Sequence, residues 1–305
     1  MTLKYFLAGI NYKLSRLYYY VIQRPIGMVR WRLWKNKPVL MSNKQTLQHI
    51  IDTKCSICRY GDGEFNIAWG NNIGFQNNSA EMTARMNEVL NSDNPNILIC
   101  LPEIFGDLKV YSSFTEKWWE EFRLTKLTLL KNSLKKKKIY GNTQITRFSD
   151  YKESLAPVLM PLYKRIWDKR DIVIVEGEKS RLGVGNDLFE NTASIKRILA
   201  PAKDAYDVYN EIVVACCELI PKETLVIIAL GPAATIMAYD LGLKGYQALD
   251  LGHIDIQYEY YIRGLDSKTP IPGKYVNEAG AEGQTVDDSA IDMSYLSQII
   301  IKIKS

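Results

Sequence analysis

The chain has 305 residues, of which 47% are hydrophobic and 24% charged, the balance of a globular protein with one large α/β domain or two small ones. No run of 18 or more apolar residues occurs, so no membrane-spanning helix is expected, and residues 6–10 are too short an apolar run for a signal peptide. The net charge of +5 is unevenly placed: residues 1–40 hold eight Lys or Arg and no acid, which leaves −3 on the rest and argues against a nucleic-acid-binding surface on the fold itself.

Taken in chain order, residues 1–40 read as a basic, aromatic, amphipathic helical segment that includes Tyr5, Phe6, Tyr18, Tyr19, Trp31 and Trp34. Such a mixture suits the headgroup zone of an anionic membrane, or packing against protein. A boundary is expected at residues 42/43, with one domain over 43–305. Residues 44–53 read as a helix and 55–60 as a strand, followed by a polar loop, Gly61-Asp62-Gly63-Glu64. The run continues with a helix over 79–92 capped by Ser79, a buried strand over 96–101, and a long helix over 113–134. A strand at 138–141 and a helix over 151–168, kinked at Pro157 or Pro161, come next. Asp171–Glu176 is the clearest strand, being apolar and β-branched. Residues 194–199 (strand), 205–219 (helix), 224–230 (strand), 233–242 (helix) and 246–250 (strand) complete an alternation, and 295–303 is either strand or helix. Apolar rather than alternating strands separated by helices predict an α/β fold with a mostly parallel sheet covered on both faces.

Five cysteines, an odd number with two adjacent, suggest no disulfide framework and a reducing cytosol. Cys55 and Cys58 fall in a β-like run without a second pair and read as buried strand residues.

Ligands of parallel sheets bind at the carboxyl ends of the strands, which singles out five loops. After the first strand, Asp62 and Glu64 stand two apart beside glycines and could hold one hard divalent cation, with Arg59 and Gly61 next to them. After 141, Arg147 is a candidate phosphate or sugar contact. After 176, Arg181, Gly183, Gly185 and Asn186 could cradle a nucleotide, although the third glycine of a dinucleotide fingerprint is missing. Gly231, Pro232, Ala233 and Thr235 open a helix directly after a strand, where free N–H groups attract phosphate. After 250, His253, Asp255 and Glu259 could converge on a metal or on an acceptor hydroxyl, with Glu259 or Asp255 as its base or orienting it; if a helix starts near Asp255, Asp255 and Glu259 share a face. His49 lies in a helix away from any strand end and reads as structural.

Arg59-Tyr-Gly-Asp-Gly-Glu64, Leu230-Gly-Pro-Ala-Ala-Thr235 and Asp250-Leu-Gly-His-Ile-Asp-Ile-Gln-Tyr-Glu259, in that order at strand ends, resemble the GT-D-type glycosyltransferases over about residues 43–265. The resemblance implies a Rossmann-like fold, a UDP-sugar donor, and Mn²⁺ or Mg²⁺ at an Asp-x-Glu motif matched by Asp62 and Glu64. It also implies a glycan or glycoprotein acceptor, and a functional carboxylate late in the chain, best matched by Glu259. By that resemblance, many family members have Glu where this chain has Gln257. The expected setting is cytoplasmic, at the inner face of the plasma membrane, and a homo-oligomer is compatible with it. The rival readings are a metal-dependent phosphoesterase built on the same carboxylates and a non-catalytic membrane adaptor.

Overall fold

The computed structural model describes residues 12–74, 76–280 and 293–304. The chain forms two compact units. The residues up to Val39 join Ile104–Lys138 in the smaller one; Leu40–Glu103 and Ile139 onward make the larger.

Nine strands form one sheet among the described residues: β1 (Val39–Leu40), β2 (Ser56–Arg59), β3 (Ile97–Leu101), β4 (Ile139–Asn142), β5 (Asp171–Gly177), β6 (Ser194–Ala200), β7 (Leu225–Ala229), β8 (Gln247–Asp250) and β9 (Ile299–Lys302). Their spatial order is β1-β4-β3-β2-β8-β7-β5-β6-β9, and every pairing from β4 to β9 is parallel. The apolar strands have the composition they do because helices cover both faces. Ile57 points into a core shared with Leu47, Tyr163 and Trp167, from the helices Asn43–Thr53 and Ala156–Trp167. Its neighbour Ser56 points the other way, as alternation demands. There the helix Pro232–Leu243 comes so close that a Cβ on Gly242 would lie 3.0 Å from the Ser56 hydroxyl.

The expected α/β architecture is present, with local differences. The polar loop 61–64 is instead the start of a helix, Asp62–Ala68, with Gly61 as its cap residue. The long helix 113–134 is two helices, Ser113–Thr125 and Leu127–Ser133. The Thr125 hydroxyl donates to the Glu121 carbonyl at 2.7 Å, a back-bond that bends helices. The helix expected from 151 starts at Ala156, with Pro157 in its first turn, where proline is tolerated, and Pro161 inside. Residues 205–208 form a 3₁₀ turn before the helix Tyr209–Leu219. Both readings of 295–303 are realised in sequence, a helix Met293–Gln298 and then β9. Ser79 caps its helix as expected, accepting from the Met82 amide.

A buried ion pair fastens this last segment. The Arg197 guanidinium donates to the Glu176 carboxylate at 2.5 Å and to Gln298 at 2.8 Å, and lies over the Tyr295 ring. All five cysteines are free, and all but Cys217 are buried.

In the smaller unit, a continuous helical stretch runs from residue 12 to 33, with a π-helical segment Tyr19–Gln23 ahead of Arg24–Leu33. It packs on Ser113–Thr125 at Gly27, where a Cβ would meet that of Leu124 at 2.9 Å. Arg24 grips Glu120 through two hydrogen bonds and Arg16 pairs with Glu121. Trp31 and Trp34 do not face outward as a headgroup-zone reading would have them: both are buried and pack on Phe105. The expected contributions of Tyr5 and Phe6 lie outside the described residues. Among the described residues no helix is long and apolar enough to cross a membrane.

Candidate functional site

The connection leaving β2 runs toward β3, while the one leaving β8 runs to the opposite side of the sheet, toward β9. Adjacent strands whose connections diverge open a crevice at their carboxyl ends, and the sequence motifs meet there.

Arg59 and Asp250 join the two strands. The Arg59 guanidinium donates to the Asp250 carbonyl at 2.6 Å, to its carboxylate at 2.8 Å and to the Thr146 hydroxyl at 2.5 Å. The Thr235 hydroxyl lies within reach of the Asp250 carboxylate (3.1 Å) and the Arg59 carbonyl (3.0 Å). Arg59 and Thr235, expected as ligand contacts, are therefore occupied in tying the crevice together. Gly252 follows at φ +34°, and a Cβ there would fall 2.4 Å from the Arg59 guanidinium. Only glycine lets the chain pass so close.

Asp62 and Glu64 occupy the first turn of the helix beyond β2. The Glu64 carboxylate accepts from the Gly61 amide at 2.8 Å and from its own amide; Asp62 is held by its own amide and that of Gly63. The N–H groups of one helix start thus lie close to two half-buried carboxylates, an arrangement the helix dipole favours. Burial pushes Glu64 up to about 7, and nearby Asp250 adds to the rise. Burial also raises Asp62, with Arg147 pulling it back and Glu278 adding to the rise. Two desolvated hard-oxygen donors that resist ionisation suit a divalent cation, whose charge would restore the carboxylates. No group of three His, Cys, Asp or Glu among the described residues forms a ready-made metal site. A cation gripped here would draw its remaining ligands from substrate oxygens and water, as Mg²⁺ commonly does.

Arg147 stands beside Asp62 and forms a two-pronged ion pair with Glu278, at 2.9 and 2.7 Å. Burial works to raise Glu278, but the Arg147 guanidinium outweighs it and holds it well below the ordinary carboxylate range. His253 lies 3.6 Å from Glu278, and its pKa is lowered to about 3, by burial first and Arg147 second, so the ring is neutral. Asp150, raised by burial, belongs to the same cluster. Gln257 accepts from the Ser149 amide and hydroxyl and so holds the Arg147 turn in place.

Asp255 and Glu259 share a face of the helix Ile254–Arg263, as expected, but that face is turned inward. Lys274 bonds both Asp255 oxygens (2.9 and 2.7 Å) and Glu259 (2.9 Å), Asn186 donates to both carboxylates, and Arg263 closes on Glu259 at 2.5 Å. Burial alone would raise Glu259; Lys274, Asn186 and Arg263 outweigh it and its pKa is lowered. A carboxylate so enclosed and so fully paired is a poor proton acceptor for an outside hydroxyl, which argues against a base role for Asp255 or Glu259. Asn186 is likewise occupied within this cluster rather than open to a nucleotide. Arg181 is buried and donates to the Gly273 carbonyl. Gly183 and Gly185 take φ +72° and +79°, and a Cβ on Gly183 would strike Phe189 at 2.4 Å. Gly231 is exposed at φ +55°, immediately before Pro232, Ala233, Ala234 and Thr235, which are buried.

Asp150, Thr146, Asp250, Lys274 and Glu278 were not singled out in the sequence. Asp250 carried a usable signal, as the last residue of a strand inside a polar motif. Glu278 and Lys274 lie in a Gly- and Pro-rich stretch with no periodicity to place them.

The family model described as the glycosyltransferase GT-D fold matches residues 57–279. A probable glycosyl transferase of Streptococcus gordonii is 33% identical over 87% of this chain, and a glycosyltransferase, GlyD, of Streptococcus pneumoniae is 33% identical over 85%. The chain spans 39% and 32% of the length of these two relatives. Among solved structures, a domain of unknown function 1792 described as having a distinct glycosyltransferase fold superposes with a TM-score of 0.85 at 31% identity. The match covers 92% of this chain and all of that one. A glycosyltransferase from Streptococcus sanguinis gives 0.82 at 33% identity, over 88% of this chain and all of that one. With the matched region running from β2 through the Glu278 turn, the chain belongs to the glycosyltransferase GT-D fold family.

Proposed function

We propose that the chain transfers a sugar from a UDP-sugar to a glycan or glycoprotein acceptor on the cytoplasmic side of the cell, assisted by Mn²⁺ or Mg²⁺. The observation that carries this reading is the pair Asp62 and Glu64, gathered over one helix start at the β2/β8 crevice with Arg147 alongside. When bound, the cation supplies charge neutralisation for the diphosphate leaving group. Arg147 adds a fixed positive charge, and the exposed Gly231 is the point where the chain entering that helix can approach a phosphate oxygen. Asp255, Glu259, Lys274 and Asn186 are assigned to positioning, because together they fix the 181–187 loop to the helix behind the crevice. The base is assigned to Asp150, a half-buried carboxylate beside Arg147 and Glu278 that has no cation-holding part. Neutral His253 orients the acceptor.

The test is acceptor-dependent UDP release with Mn²⁺ and with a chelator, for the natural chain and for Asp62→Ala and Glu64→Ala. Loss of transfer in both variants and under chelation supports the reading. Full activity in both variants overturns the cation role, and release of free sugar or sugar phosphate regardless of acceptor replaces transfer with hydrolysis.

A further inference from the structure

The smaller unit concentrates charge of one sign. The residues up to Val39 and Ile104–Lys138 hold 17 Lys or Arg against four Asp or Glu, a net +13, which leaves −8 on the larger unit. Its sequence neighbours did not reveal this, because half of the basic residues arrive from Ile104–Lys138 and are brought in only by folding.

The helical stretch 12–33 buries one face, at Tyr19, Gly27 and Trp31, against the helix Ser113–Thr125. On the rest of its circumference Leu14, Tyr18, Ile22, Ile26, Val29 and Leu33 recur every three or four residues and so line one stripe. All six are between 44% and 69% exposed. Six large apolar side chains left in water along one helix form a contiguous patch of the kind that marks an interaction surface.

Charge selects the occupant. A second copy of this unit would set +13 against +13, which is repulsive. A nucleic acid would satisfy the cations but offer nothing to an aliphatic stripe. An anionic lipid surface satisfies both, because acyl chains receive Ile, Val and Leu while headgroups meet the Lys and Arg around them. We infer that the exposed stripe of the helix 12–33, within its basic unit, docks on an anionic membrane surface without crossing it. The inference stands on this unit alone and is independent of the sugar-transfer reading.

The experiment is co-sedimentation of the full chain with vesicles of phosphatidylglycerol and phosphatidylcholine, against vesicles of phosphatidylcholine alone. Two surface variants accompany it: Ile26→Ser/Val29→Ser, which removes apolar contact, and Arg32→Glu/Lys35→Glu, which reverses charge. Unchanged melting temperatures show that both remain folded. The expected result is partition onto the anionic vesicles only, reduced about tenfold or more by each variant and weakened by added salt. Equal partition onto neutral vesicles, or none onto anionic ones, overturns the inference. So does indifference to Ile26→Ser/Val29→Ser, which leaves simple charge adsorption. Self-association of the lipid-free chain that the same pair abolishes also overturns it and assigns the stripe to a second copy.

Discussion

The Arg59 guanidinium and the Asp250 carboxylate form a nearly buried ion pair, with side chains 11% and 4% exposed, that joins the two strands flanking the candidate site. Removing one partner strands the other charge, so Asp250→Ala is expected to cost about 3–5 kcal/mol of stability. Urea unfolding measures it; a loss below about 1 kcal/mol would show that the crevice does not depend on this bridge.

Glu64 carries a prediction about pH. Its ordinary value is 4.5 and its folded value is about 7, so between these the folded chain holds a proton that the unfolded chain releases. The stability from this group is complete below 4.5 and is lost as pH rises through 7. Chelator-treated protein is therefore expected to lose stability between pH 5 and 8, and Glu64→Gln to flatten that slope. An identical slope in the variant would place the burial effect elsewhere.

His253 is expected to stay neutral across the physiological range. The chain has two histidines, His49 and His253, so proton NMR can follow each. The His253 ring signals should show no titration above pH 5. In Arg147→Ala, loss of the neighbouring cation should move His253 upward.

The proposed division between positioning by the enclosed cluster and proton transfer by Asp150 can be tested by substitution. Lys274→Met leaves Asp255 and Glu259 without their shared cation and is expected to cost about 3–5 kcal/mol. Glu259→Gln should lower the melting temperature and leave the pH profile of turnover unchanged. Asp150→Asn should retain the fold and cut kcat by roughly 10²–10⁴. The reverse pattern would restore Glu259 as the base.

Much of the sheet was readable because its strands are short apolar runs punctuated by helices. Asp171–Gly177 and Leu225–Ala229 have few polar positions to confuse with anything else. The first motif was read as a loop because glycines at 61 and 63 mask a helix start; the signal lay in Glu64, three residues beyond Gly61, where it can reach back to the cap amide. Asp255 and Glu259 were correctly put on one helix face, yet periodicity does not say which way a polar face turns. Lys274, far along an irregular stretch, decides that, and a partner without local pattern leaves no trace in the sequence. The Trp31 and Trp34 side chains were placed at an interface for the same reason: their cover, Phe105, comes from a segment some seventy residues away.

That separation bears on how the chain emerges from the ribosome. Until residues 104–138 have been synthesised, the first helix has no surface against which to bury its tryptophans, and β2 and β3 are made in the meantime. During that interval the helix exposes the face that Tyr19 and Trp31 later bury as well as its apolar stripe, which is when a nascent chain is most exposed to aggregation and most dependent on chaperones. Splicing out 104–138 would make that interval permanent, so a chain shortened in this way is expected to collect in inclusion bodies even though every strand of its sheet is intact.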